Sequence, residues 1–253
     1  MRHFFSSHAF VILPIACVVL LLPRHANAAG GAYVVDDSET VTPNTCALES
    51  WAQFASNHDF NTVTQPECGF DVGKPVEVDA ALQRARSGGA WGTSSAVTAK
   101  LNLISTDKSR DNSRIGVAFE VASAWNLQAG GNTGTNVFVP VTFMINDAFH
   151  INVNGGWFHD NVNNINYATW GIGFEWDFKP VPLTLIGEVF GQAGTLPIAA
   201  DGDPPSPNAI RDPRTQIGLR YKASDNADID VIWGHNIGGE NAHWVTLGLN
   251  LHY

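Results

Sequence analysis

Eight carboxylates, Glu77, Asp79, Glu120, Glu175, Asp177, Glu188, Asp228 and Asp230, fall at the polar positions of segments that alternate apolar and polar residues. Lys100, Arg220, His150 and His252 occupy the same positions, as do Asn152, Asn154, Gln216 and Asn250. Acids outnumber permanent bases in this set. Turned toward one wet space, they would make an acidic passage favouring cations or neutral solutes. Paired with Lys100 and Arg220, they would form an interior network of structural use only.

Catalytic chemistry finds little support. A lipid-modifying site needs a hydroxyl or other nucleophile, a histidine base and an orienting polar group. His150 has Asn152 on its face but no serine at that spacing, and a His-x-Ser pattern is absent. His159, His235 and His243 belong to or flank loops, where histidines are ordinarily solvated. Asp201-x-Asp203 offers two oxygens to a cation, short of a calcium loop. Phosphate-cradling glycine loops and Cys-x-x-Cys pairs do not occur. No enzyme, metal or cofactor is expected.

The elements that carry these residues follow from a period of two, which gives a strand one apolar and one polar face. Val245, Leu247, Leu249, Leu251 and Tyr253 alternate with Thr246, Gly248, Asn250 and His252. Ala168, Trp170, Ile172, Phe174, Trp176 and Phe178 alternate with Thr169, Gly171, Gly173, Glu175 and Asp177. Strands are predicted near 46–56, 60–70, 75–85, 91–104, 114–125, 137–145, 149–158, 167–178, 182–191, 214–222, 227–235 and 244–253. In the stretches 137–145 and 182–191, Phe138, Met144, Ile186 and Phe190 break the polar face. So much strand would be unusual in a globular domain. Strands of this length match those that cross a bilayer at a tilt.

From residue 137 the connections alternate between tight (146–148, 179–181, 223–226) and long (159–166, 193–213, 236–243), as in barrels with short periplasmic turns and longer outward loops. The linker 105–113 is the exception, being long for a turn. Trp91, Trp125, Trp157, Tyr167, Trp170, Trp233 and Trp244 gather near one predicted rim, and Trp176, Phe178, Tyr221 and Tyr253 near the other, which suggests aromatic girdles.

Composition agrees. Of 253 residues 44% are hydrophobic and 15% charged, too apolar for a disordered chain. Residues 1–28 read as a signal peptide, with an apolar run from Phe10 to Leu22 and an Ala26-Asn27-Ala28 cleavage site. After residue 30 no apolar run is long enough for a membrane-spanning helix. A net charge of −10 disfavours nucleic acid as a partner. Cys46 and Cys68 remain after the signal peptide; a hairpin turning at 57–59 sets them opposite one another for a disulfide.

Together these features resemble those of Gram-negative outer-membrane β-barrel proteins of the small porin or channel type. The final strand, Val245, Leu247, Leu249, Leu251 and the aromatic Tyr253, is similar to the insertion signal read by the barrel-assembly machinery. The resemblance implies an all-β, antiparallel up-and-down transmembrane barrel over residues 46–253, with 29–45 a short periplasmic lead. Twelve strands are expected; the alternative has ten, with the hairpin 46–70 as a plug or cap. It also implies export to the outer membrane, contact with its lipid, and both termini in the periplasm. Three roles follow: a narrow channel for small solutes or ions, a non-conducting barrel working through loops 126–136, 159–166 and 193–213, and, less favoured, a lipid-modifying enzyme. A backbone radius of roughly 12 Å leaves room for a narrow pore at most.

Overall fold

The structure, a computed structural model, describes residues 32–193, 210–238 and 243–253. The sequence expectations for residues 1–28, for Asp201 and Asp203 and for most of the loop 193–213 therefore lie outside the described residues. The elements are β1 (Cys46–Ala55), β2 (Phe60–Asp71), β3 (Pro75–Ser87), β4 (Ala90–Ile104), β5 (Ile115–Asn126), β6 (Asn132–Asn146), β7 (Phe149–Asp160), β8 (Ile165–Phe178), β9 (Leu183–Ala193), β10 (Ile210–Ser224), β11 (Ala227–Asn236) and β12 (His243–His252). Each pairs antiparallel with its chain neighbours, and β1 pairs with β12, so the sheet closes into a twelve-stranded barrel. The ten-strand arrangement is thereby excluded, because β1 and β2 are staves of the wall.

Exposure alternates along the strands in the sense opposite to that of a water-soluble protein. In β12, Val245, Leu247 and Leu249 are exposed, whereas Trp244, Thr246 and Asn250 are buried. In β11, Ile229, Val231 and Trp233 face out while Asp230 and Ile232 are fully covered. Buried acids inside and bare aliphatics outside are what a lipid solvent requires of a closed barrel. Among the described residues there is no helix, so strands alone carry the apolar surface.

Register explains several expectations. Cys46 lies opposite Cys68 and the two form a disulfide with a Cα–Cα distance of 4.1 Å. Gly88 and Gly89 take positive φ in the tight β3–β4 turn, a backbone that side chains resist. β6 begins at Asn132 rather than near 137, which shortens the expected loop 126–136 to residues 127–131. Two aromatics assigned to the outer girdle point inward. Trp244 is buried on the face of Thr246, and its Nε1 donates to Gln216 Oε1 at 3.3 Å. Tyr167 stacks on Phe158 with ring centroids 5.0 Å apart. The parity of their own strands demanded both positions. Trp91, Trp157, Trp176, Tyr221, Trp233 and Tyr253 are exposed, as a girdle requires.

Leu247 lies near the middle of β12 on the outward face. Leu247→Arg is expected to destabilise the bilayer-embedded protein by about 2–4 kcal/mol, and Tyr253→Arg at the strand end by about 1 kcal/mol or less. Denaturant unfolding in lipid vesicles measures both.

Candidate functional site

The inward parity of the strands carries the polar residues, and the chain's own N-terminal segment lies among them. Residues 32–45 enter from the end where β1 begins and run up inside the wall. They were expected as a lead beneath the barrel; the hydrogen bonds place them within it. At its root the segment bridges to β2, where Asn44 N donates to the Gly69 carbonyl at 2.8 Å; over residues 32–41 wall side chains must supply the backbone partners. Both Glu188 oxygens accept from the segment, from Val34 N and Val35 N at 2.9 Å each. Asp36 N donates to Asn154 Oδ1 at 2.7 Å, while Asn154 Nδ2 donates back to the Asp36 carbonyl at 2.8 Å. Ser38 N donates to Thr142 Oγ1 at 2.9 Å, Asn102 Nδ2 to the Ser38 carbonyl at 2.6 Å, and Val41 N to Glu77 Oε2 at 2.5 Å.

Charge and apolar packing reinforce these bonds. Lys100, almost fully buried, places its ammonium 2.7 Å from Asp36 Oδ2 and 3.7 Å from Asp37 Oδ1. Tyr33 packs with Ile186 and Ile232 in a small apolar cluster. The Arg220 guanidinium sits 5.4 Å from the Tyr33 ring centroid, a cation–π distance. The wall is thinned to admit the segment: a Cβ on Gly171 would lie 2.7 Å from Val35 Cγ2, and one on Gly116 would collide with Ser38. The β4–β5 connection is long because it secures the base of the segment. Ser105 Oγ and Thr106 N donate to Glu39 at 2.7 and 2.6 Å.

Beyond the segment, Arg220 Nε and Nη2 bind the two Asp230 oxygens at 2.8 and 3.1 Å, and Asn250 Nδ2 adds a donor at 3.0 Å. Asn152 links Thr142 to Glu175. His252 Nε2 lies 3.2 Å from Asp228 Oδ2, and Asp177 accepts from Thr184 at 2.7 Å. At the termini end, a hydrogen bond from Lys108 holds the Asp147 carboxyl below its ordinary range.

Cavities lie on both sides of the segment. One of about 290 Å³ opens toward the β9–β10 end, lined by Val34, Phe138, Phe190 and Arg214. Another of about 440 Å³ lies at the termini end beside Glu39, Thr42, Lys108 and His150.

Of the sixteen residues read as inward, Glu77, Asp79, Lys100, Glu120, Asn152, Asn154, Glu188, Gln216, Arg220, Asp230 and Asn250 are buried, and His150, Glu175, Asp177, Asp228 and His252 are partly covered. Periodicity did not single out Asp36, Asp37, Asn102 or the buried Glu49 and Glu67. A signal for the segment was nevertheless present. Phe138, Ile186 and Phe190, which break the polar face, are residues that meet or flank Tyr33 and Val34. Of the candidate histidines, His235 lies directly opposite His243 across β11 and β12, while His159 stands on β7; His159 stacks on Trp157 and His235 on Trp233.

The family model described as "Uncharacterised conserved protein UCP029691" matches residues 17–253. The chain belongs to that family. No curated protein matches the sequence. The fold is similar to that of the KdgM porin, with a TM-score of 0.59 and 8% identity over 82% of this chain and 99% of that one. It is similar also to the NanC porin, with a TM-score of 0.59 and 10% identity over 81% and 98% of the two chains. A third likeness is to the COG4313 outer membrane channel from Pseudomonas putida F1, with a TM-score of 0.57 and 8% identity over 86% and 98%. At such identities the likeness is one of fold, that of outer-membrane barrels.

Arg220→Met would leave the fully covered Asp230 without its cation. It is expected to destabilise the protein by about 3–5 kcal/mol, with most of that recovered in the Arg220→Met/Asp230→Leu double variant. Chemical denaturation of the refolded barrel measures the difference.

Proposed function

We propose that this protein is an outer-membrane channel for small solutes or ions, with residues 32–45 closing its passage. The observation that carries this reading is the presence of lumenal cavities toward both ends, with the polar-anchored segment between them. A barrel of purely mechanical use could fill its interior with apolar side chains. This one keeps charged groups there and holds the obstruction largely by hydrogen bonds and by the ion pairs of Lys100 with Asp36 and Asp37, contacts that water can replace.

The inward carboxylates exceed Lys100 and Arg220, which supports a preference for cations or neutral solutes over anions. The apolar outward face would meet outer-membrane lipid, and the strand ending at Tyr253 would present Val245, Leu247, Leu249 and Leu251 to the barrel-assembly machinery. Export through a cleaved signal peptide, with the termini end in the periplasm, belongs to the same reading.

A second reading, a barrel that does not conduct, is favoured by the same segment: Val34, Val35, Asp36, Ser38 and Val41 all donate to the wall. Planar-bilayer recordings separate the two. The full chain is expected to be silent or nearly so, and a variant lacking residues 32–41 to give discrete, cation-preferring steps. Heat-modifiable migration on a gel confirms that the shortened protein is folded. A folded shortened barrel without conductance at any voltage contradicts the channel and favours the second reading.

A further inference from the structure

Glu67 on β2 and Glu77 and Asp79 on β3 converge inside the barrel. Register sets Glu67 directly opposite Asp79, and Glu77 lies one step along the same face. One carboxylate oxygen from each falls within 4.8 Å of the others, and all three residues are buried. Like charges opposed across a sheet repel, and burial strengthens that repulsion. Lys100 stands opposite Glu77 on β4, and its ammonium pairs with Asp36 at 2.7 Å. Buried Glu49 and Glu120 on β1 and β5 add to the local negative charge.

A second observation points to a ligand. Asp79 is 5% exposed and turned into the cluster, and its Oδ1 has no hydrogen-bond partner. A buried carboxylate oxygen left in that condition is costly unless a cation or proton meets it.

We propose that Glu67, Glu77 and Asp79 form a binding site for one divalent cation of the calcium class. Three carboxylates supply hard oxygen donors, and calcium accepts irregular arrangements of such ligands completed by water, whereas magnesium demands near-ideal octahedral geometry. Neutralisation by the ion removes the mutual repulsion of the three groups. Glu77 contributes one oxygen to Val41 N, so the site abuts the N-terminal segment at its root. Sequence spacing does not reveal this site, because its ligands come from two strands and meet only through their register.

Isothermal titration of calcium chloride into the full chain tests it. The protein is refolded from inclusion bodies, which excludes lipopolysaccharide as a calcium sink, stripped with chelator and held in an uncharged detergent. One ion per chain is expected, with affinity lowered at least tenfold by Asp79→Asn and by Glu67→Gln and unchanged by Glu175→Gln, a lumenal carboxylate outside the cluster. Heat-modifiable migration shows which variants are folded, and either cluster variant suffices. Absence of binding by the parent protein overturns the site, as would a protonated-carboxyl infrared band in its place. Binding that persists undiminished in both cluster variants also overturns it. None of these outcomes depends on whether the barrel conducts.

Discussion

Backbone polar groups that face hydrocarbon must be paired, and this constraint organises the whole molecule. In the wall the ladder between β1 and β12 meets it, running from Ala47 opposite His252 to Ala55 opposite Trp244. Without that ladder two strand edges would stand in lipid. The same requirement governs residues 32–41, whose backbone lies inside the barrel outside the ladders, above the bridge that Pro43 makes to Gly69. There the partners are side chains: Glu188, Asn154, Thr142 and Glu77 accept its N–H groups, and Asn102 and Asn154 donate to its carbonyls. Much of the lumen's polarity is thus the complement of a threaded backbone.

That dual use links structure to function. A polar interior is compatible with passage of solutes, and here it also retains an obstruction. Charge-assisted hydrogen bonds inside a protein are stronger than neutral ones, at about 1.5–3 kcal/mol each. Several act together on the segment, yet each terminates on a group that water can also solvate. Tyr33, clamped between Ile186, Ile232 and the Arg220 guanidinium, adds the apolar anchor. Arg220 is consequently shared between the wall pair with Asp230 and the segment, which couples barrel rigidity to retention of the plug.

The barrel was legible in the sequence because lipid imposes a simple rule on every strand. Alternation along β12 and β11 marked both faces, the hairpin 46–70 placed Cys46 opposite Cys68, and the strand count followed. Strand ends were less legible: nothing in 132–136 alternates strongly, yet β6 starts at Asn132 because β5 and β7 offer it a ladder. The interior segment was hidden for a different reason. Residues 32–45 carry no period, since their contacts are made by backbone atoms to side chains far along the chain. The unexplained length of 105–113 and the intrusions of Phe138, Ile186 and Phe190 were its traces. Trp244 shows the opposite failure, where a preference of aromatic residues for rims was weighed above the parity of the strand itself.

The central claim is that the N-terminal segment threads the lumen against β8, and trapping by a disulfide tests it most directly. A Cβ on Gly173 would lie 3.3 Å from Val35 Cβ, close to the separation of bridged cysteines. In the refolded Val35→Cys/Gly173→Cys variant, peptide mapping should recover a bond joining positions 35 and 173 beside the native Cys46–Cys68 bridge. A folded, heat-modifiable barrel in which both introduced thiols stay unpaired and react with a soluble alkylating reagent would contradict the account.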